Sequence, residues 1–215
     1  MKYKNHKNKN SGFTIIEIVI AVGLFTVVMI IGIGAVLKVN QIHKKTTDTR
    51  QAIDSMHFVL EDMSRNIRLG SFYNCRASIG GLGETEDCPF EEGITPYQSM
   101  AFERVNGNPA DDGDQVVYRI VEVSGTGIYK LVKGTGIACA TSPTGSGCLD
   151  STPYSVHIDP NKSGFNIENA ENPNPLLGDG TQPRVIIRLA GDIVYQDIVT
   201  PFSVQTTISQ RQIDF

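Results

Sequence analysis

The sequence has no excess of basic residues, since 23 acidic residues outnumber 19 lysines and arginines and the net charge is −4. Direct binding to nucleic acid is therefore disfavoured, because proteins that bind it present a basic surface. The chain also lacks the HExxH, GxSxG and GxGxxG motifs and the P-loop. These patterns mark common catalytic and cofactor sites. We therefore expect neither enzymatic activity nor a cofactor.

Charge is missing altogether from residues 18–37, which form an uninterrupted run of 20 uncharged residues. A helix of that length, at ~1.5 Å per residue, matches the ~30 Å hydrocarbon core of a bilayer. The run is longer than the apolar stretch of a buried core helix or of a cleaved secretory signal, and no Ala-x-Ala site follows it. It predicts one membrane span, and the near-zero mean hydropathy of the whole chain excludes several.

The twelve residues at the N-terminus contain four lysines and no acid. Basic residues ahead of a span favour a cytoplasmic N-terminus and an exported C-terminal part, although Lys38, Lys44 and Lys45 lie on the far side of the span. Glu17 lies inside the apolar sequence. A carboxylate within a membrane costs about 2.5–3.5 kcal/mol, so Glu17 is either a functional residue with a partner or a residue at headgroup level.

The sequence GFTIIE at residues 12–17 resembles the processing site of type IV prepilins and type II secretion pseudopilins. The shared features are a basic leader, a Gly-Phe junction, a glutamate at the fifth mature position and an uninterrupted apolar helix. The resemblance covers roughly residues 1–40. It implies that a prepilin peptidase cuts between Gly12 and Phe13 and methylates the new amine of Phe13. It also implies that the Glu17 carboxylate pairs with the Phe13 ammonium of a neighbouring subunit.

The same resemblance implies partners and a location. The partners are the prepilin peptidase, which is also the N-methyltransferase, other pilin or pseudopilin subunits, and an inner-membrane assembly platform. The chain is first a single-pass protein of the cytoplasmic membrane with its C-terminal domain outside, and later part of an extracytoplasmic filament. The sequences MHFVLEDMSRNIRLGS and PFSVQTTISQR resemble a minor pseudopilin of the J type or a PilW-like minor pilin. The alternative is a membrane-anchored binding or adhesin module, which leaves Gly12, Phe13 and Glu17 unexplained.

The hydrophobic pattern predicts an α+β fold in four parts. These are a basic leader over 1–12, a transmembrane or filament-core helix over 13–39, an amphipathic continuation over 40–69 and a β-rich exported domain over 70–215. In the second helical part, apolar residues recur at a spacing of three and four and predict one buried stripe, with His57 packed beside it. That stripe consists of Ile53, Met56, Leu60, Met63 and Ile67. Gly70 is the predicted end of the helix.

The C-terminal region alternates between apolar and polar residues and predicts an antiparallel sheet packed on the amphipathic helix. Glycine-containing segments at 124–127 and 190–192 predict hairpin turns, and 169–183 predicts a long loop. The predicted strands are 98–105, 114–123, 128–133, 154–158, 184–189, 193–196 and 202–210.

Four cysteines in an exported domain predict two disulfides, with three possible pairings. The local pairing, Cys75–Cys88 and Cys139–Cys148, would staple two glycine-rich loops. Zinc is disfavoured because neither pair has CxxC spacing or an accompanying histidine.

The oxygen-bearing side chains of Asn108, Asp111, Asp112 and Asp114 surround a glycine-containing turn. Calcium prefers such ligands, which makes this set a candidate calcium site. The spacing is not that of an EF-hand, and the same residues are also ordinary in turns.

Overall fold

The computed structural model describes residues 12–75, 85–90, 95–108, 111, 113–136, 139, 148–170, 182–195 and 198–211. The leader up to Ser11 and the predicted calcium ligand Asp112 lie outside the described residues. Residue contacts divide the chain into two units, Met1–Thr47 and Asp48–Phe215, and the boundary falls within helix α1, Ile15–Leu69. Among the described residues, nine strands follow the helix, which confirms the predicted α+β class. They are β1 Ser71–Asn74, β2 Ser99–Glu103, β3 Val116–Glu122, β4 Tyr129–Thr135, β5 Cys148–Asp150, β6 Val156–Ile158, β7 Gly164–Glu168, β8 Arg184–Tyr195 and β9 Ile198–Ser209.

In the first unit, every side chain over residues 12–44 is exposed. Among the described residues, α1 is the helix that is long and apolar enough to cross a membrane. The polar Thr26 within the apolar run is satisfied locally, because its hydroxyl donates to the carbonyl of Val22 at 2.6 Å. Such back-bonding lets a threonine stay inside an apolar helix, since no backbone or hydroxyl group is left without a partner.

In the second unit, α1 buries a stripe that differs from the predicted one. Met56, Met63 and Ile67 are buried as predicted, but the other two positions of the stripe are Ala52 and Val59. Leu60 is half-buried and packs against the same core, whereas Ile53 is 42% exposed. The prediction was wrong at Ile53 and missed Ala52 and Val59, because apolar residues occupy both members of the neighbouring pairs 52/53 and 59/60 and the helical period alone does not choose between them. His57, predicted to pack beside the stripe, is exposed.

All strand pairs are antiparallel, and the main path of the sheet runs β1-β2-β3-β4-β6-β8-β7. The short β5 pairs with β4. Strand β9 pairs with β8 along its full length, from Tyr195 opposite Ile198 to Arg184 opposite Ser209. Because β9 takes one whole edge of β8, strands β6 and β7 share the other edge.

The hairpin predicted at 190–192 is absent, because β8 continues without a break through Gly191. Glycine is required at this position because β6 and β8 lie too close together for a side chain. A Cβ atom at Gly191 would lie 2.1 Å from the carbonyl oxygen of His157 in β6. Glycine inside a strand often marks such an approach, and here it was mistaken for a turn signal.

The sheet separates two apolar clusters by the alternation of side chains along its strands. In β3, Val116, Tyr118 and Ile120 join the main core with the α1 stripe, whereas Val117 and Val121 join a smaller cluster on the other face. The main core contains the largest fully buried side chains of β2, β3 and β7, among them Phe102, Tyr118 and Phe165. This period of two is what the sequence pattern predicted for β3.

The C-terminal end of α1 is held by side-chain and main-chain donors from distant segments. The hydroxyl of Tyr73, fully buried, lies 2.6 Å from the carbonyl oxygen of Ile67 and 2.8 Å from that of Gly70. Gln210 donates its side-chain amide to the Gly70 carbonyl, and the Arg211 N–H donates to the Arg68 carbonyl. These donors satisfy carbonyls that a helix end otherwise leaves open.

A polar network crosses the interface between α1 and the sheet. The Asp62 carboxylate accepts hydrogen bonds from Lys133 at 2.6 Å and from the Tyr118 hydroxyl at 3.1 Å. Burial alone would raise the pKa of Asp62, but the hydrogen bond and charge of Lys133, with bonds from Tyr118 and Asn66, lower it overall. Asp62 is therefore ionised at neutral pH, and its pairing joins the helix to β3 and β4.

Of the three possible cysteine pairings, the structure contains the local one, with bonds Cys75–Cys88 and Cys139–Cys148. Cys88 also forms a bridge to β7, because its N–H and carbonyl exchange hydrogen bonds with Ile167 at 2.8 and 3.2 Å. The second disulfide lies on the smaller apolar cluster. The first disulfide therefore joins the residue after β1 to a residue that pairs with β7, a strand distant in sequence.

Candidate processing and assembly site

The predicted processing residues lie at the start of α1, where Thr14 is the residue before the first helical position. The N–H of Glu17 lies 3.4 Å from the Thr14 hydroxyl, and that hydroxyl lies 3.5 Å from a carboxylate oxygen of Glu17. A Thr followed three residues later by Glu is the sequence pattern of a capping box, and the bond from the Glu17 N–H to the Thr14 hydroxyl is one of its two interactions. The sequence TIIE therefore also specifies where the helix begins.

Gly12 and Phe13 precede the helix in exposed positions outside regular secondary structure. Phe13 is 79% exposed, and a Cβ atom added to Gly12 would meet nothing within 4 Å. No contact within the described chain therefore requires glycine at position 12 or a buried aromatic ring at position 13. The peptide bond between Gly12 and Phe13 is therefore not covered by the described part of the chain, and a protease needs such an exposed bond.

Glu17 is exposed on the first turn and has no basic partner within the described chain. An acidic side chain in that turn is favourable, because it faces the positive end of the helix dipole. The dipole and the Thr14 cap account for a carboxylate at this position in the isolated chain. They leave its charge free to pair with a cation of another molecule.

Comparison with known proteins identifies one motif in this region. Residues 7–33 match the family model described as the prokaryotic N-terminal methylation motif. The match includes Gly12, Phe13 and Glu17 and most of the apolar run. The chain thus carries a methylation motif of the prepilin type at its N-terminus. Neither a curated protein nor a solved structure is significantly similar to the chain.

Three of the candidate calcium residues, Asn108, Asp111 and Asp114, are described in the β2–β3 connection and are linked there by hydrogen bonds. The Asn108 N–H donates to Oδ2 of Asp114 at 3.0 Å, and the Asp111 N–H donates to the Asn108 carbonyl at 2.7 Å. The Asp111 carboxylate accepts from the Gly113 N–H at 2.9 Å, so this side chain stabilises the turn. The structure therefore brings Asp111 and Asp114 onto one short loop.

A further acid, Glu103 at the end of β2, lies beneath this loop and was not among the predicted site residues. It is 1% exposed, and its carboxylate lies against that of Asp114. Burial, followed by the hydrogen bond and charge of Asp114 and the charge of Asp111, raises the pKa of Glu103 to about 7 against the opposing charge of Arg104. A charged residue at the end of an alternating strand gives no sequence signal of burial, which is why sequence reasoning missed it.

Within the described part of the chain, no three His, Cys, Asp or Glu side chains converge as a metal-binding group. His57 is exposed on α1 and His157 is half-buried in β6, far apart along the chain.

Proposed function

We propose that the chain is a minor pilin or pseudopilin. A prepilin peptidase cuts it after Gly12 and methylates Phe13, and the mature subunit joins the tip region of a type IV pilus or a type II secretion pseudopilus. It acts as a structural subunit and catalyses nothing itself. The observation that carries this proposal is the methylation motif over residues 7–33, whose Gly12–Phe13 junction is exposed.

The exposed apolar surface of α1 supports the same proposal. Residues 12–44 are exposed, although most of them are apolar. A membrane covers such a surface before assembly, and neighbouring helices cover it in a filament. The disulfide-bonded β domain then lies outside the cytoplasm, where disulfides persist.

Glu17 supplies the assembly contact in this proposal. Its carboxylate pairs with the methylated ammonium of Phe13 from a neighbouring subunit. Two opposite charges in apolar surroundings attract strongly, and either charge alone is penalised there. The pairing therefore favours one axial register between subunits. We place the subunit near the tip and not at its end, because Glu17 equips it to accept a neighbour.

The alternative function, a membrane-anchored binding or adhesin module, accounts for the apolar helix and the disulfides. It gives no role to the junction at Gly12 and Phe13. The two functions differ in one covalent outcome, because an anchored module retains its leader.

The first test is the intact mass and N-terminal sequence of the chain, isolated from membranes of a host that has a prepilin peptidase. We expect a chain that begins at Phe13 and carries one additional methyl group. Gly12→Leu should block processing, while Gly23→Ala, at another glycine whose Cβ would meet nothing within 4 Å, should leave it intact. A wild-type chain that still begins at Met1 would contradict the proposal and favour the anchored module.

The second test separates the charge of Glu17 from its capping role. Glu17→Gln keeps a residue that suits a capping box but removes the charge, whereas Thr14→Ala removes the cap and keeps the charge. If charge pairing drives assembly, Glu17→Gln and Glu17→Ala should both be processed yet be depleted at least about tenfold from sheared filaments, the ratio that corresponds to about 1.4 kcal/mol. Thr14→Ala should be incorporated. Normal incorporation of Glu17→Gln would refute the charge pairing.

A further inference from the structure

A cavity of about 280 Å³ lies on the outer face of the β8–β9 pair, opposite the main core. Alternation along β8 directs Leu189 into that core and its neighbours Arg188 and Ala190 to the outer face. The β9 residues opposite these two, Gln205 and Ser203, are exposed on the same face. The volume is near the lower limit of small-molecule sites, so the cavity suits a compact ligand.

Arg188 lies on this cavity and has no acidic partner among the described residues. Its guanidinium stacks on the ring of Phe90, with 4.2 Å between Cζ and the ring centroid. Its Nε is buried and has no hydrogen-bond partner in the described part of the chain. A buried donor without an acceptor is costly and rare in native proteins. A carboxylate matches such a group, because it binds a guanidinium through two parallel N–H···O bonds.

The other charged groups on the cavity limit which anion fits. The charge of Lys162 is already compensated, because its Nζ lies 2.8 Å from Oδ2 of Asp159. Asp192 also lines the cavity and acts electrostatically on Lys162. The two acids disfavour a doubly charged phosphate, so the cavity favours a ligand with a single carboxylate at Arg188.

The floor of the cavity offers side chains, whereas the main chain of β8 beneath it is already paired. The Ala190 N–H donates to the Ser163 hydroxyl, and the Ala190 carbonyl accepts from the Asp159 N–H at 2.8 Å. A peptide bound over β8 would therefore lack main-chain partners there. The side chains of Ser203 and Gln205 form no hydrogen bond with other described residues. Their hydroxyl and amide groups donate and accept, which suits the hydroxyl groups of a sugar.

We propose that this cavity binds an acidic saccharide. Arg188 binds the carboxylate of one sugar ring, and Gln205 and Ser203 bind ring hydroxyl groups. Asp192 is four residues from Arg188 along β8, a distance of ~13 Å, so it accepts a hydroxyl hydrogen from a second ring. The site lies within the β domain and does not depend on whether the chain joins a filament.

The test uses the full chain in a detergent without a sugar headgroup and measures binding by titration calorimetry. The main probes are digalacturonate and digalactose, which differ only in the carboxylate or hydroxymethyl group of each ring. We expect digalacturonate to bind with a Kd below about 1 mM and digalactose to bind at least about tenfold more weakly. No binding of digalacturonate, or equal affinity for the two sugars, would overturn the proposal.

A blocked diglutamate peptide is the third probe, because it carries carboxylates without sugar hydroxyl groups. We expect it to bind at least about tenfold more weakly than digalacturonate. Equal or tighter binding of the peptide would overturn the assignment to a saccharide.

Three variants locate the binding. Arg188→Lys keeps a cation but loses the two-point geometry of the guanidinium, so affinity for digalacturonate should fall at least about tenfold. Gln205→Ala changes an exposed residue, should also weaken binding, and serves if the Arg188 variant does not fold. Arg184→Gln is the matched control, because Arg184 lies on the same face of β8 and is paired with Glu168. Binding that survives both site variants, or is lost in the control, would refute the site.

Discussion

The two parts of α1 form the same backbone hydrogen bonds but relate in opposite ways to their surroundings. Residues 15–44 expose a nearly continuous apolar surface, whereas residues 48–69 bury a narrow stripe against the sheet. The first part shows no helical period in its sequence, because apolar residues occupy all of its sides. The second part is specified by its period and by single polar contacts. The comparison shows that the two parts of one helix follow different sequence rules. The first part is apolar throughout, and the second part has a helical period of apolar residues.

The same substitution made in both parts of α1 tests this difference with the largest expected effect. Met63 is fully buried in the stripe, and Met29 is 48% exposed in the apolar part. Met63→Ala should lower the free energy of unfolding of the β-containing unit by about 2–5 kcal/mol, because it leaves a cavity in the core. Met29→Ala should change it by less than about 0.5 kcal/mol.

Chemical denaturation of the full chain in detergent, monitored through the sheet signal, measures both values. Equal losses from the two substitutions would show that the two parts of α1 do not differ as described.

A smaller change in the free energy of unfolding is expected at the polar network of the second part. Lys133→Met removes the partner of Asp62 and should cost about 1 kcal/mol at neutral pH, since water partly screens a pair that is about one-third exposed. The folded pKa of Asp62 lies below its ordinary value of 3.8, so the pair's contribution is present above that pH. It is lost as the pH falls below 3.8 and Asp62 becomes protonated.

Unfolding curves of wild type and variant at several pH values measure this difference. The control is Lys162→Met, whose ion pair with Asp159 is exposed at the lysine end. A difference for Lys133→Met that stays constant down to low pH would contradict the assigned role of Asp62.

Much of the fold could be predicted because its signals are local. The uncharged run and Gly70 predicted a helix over about 13–69, close to the observed Ile15–Leu69. Strong alternation predicted β3 and β4. The exact stripe on α1 could not be predicted, because Ala52 and Ile53, like Val59 and Leu60, are interchangeable by period. Which member of each pair is buried depends on the sheet that packs against the helix.

The remaining errors come from contacts between distant segments. Gly191 resembles a turn residue in sequence, but glycine is needed there because β6 pairs closely with β8 at this position. Strand β7 was not predicted, because its alternating run of five residues is short, and it is held by pairing with β8 along that whole length. At the candidate sites, the sequence predicted the junction at Gly12 and Phe13, since that motif is contiguous. Glu103 became visible only through its burial beneath a loop.

The corner at Leu69 determines how the β domain would carry a mechanical load. Tension along α1 enters the sheet covalently through Gly70 and β1, at one end of the strand order. The hydrogen bonds from Gln210 and Arg211 to the last turn of α1 pass part of the same pull to the segment that follows β9, on the opposite side of the sheet. The load is thus divided between two ends of the sheet and does not act on β1 alone. A force applied along the helix would therefore reach the domain at both of these places.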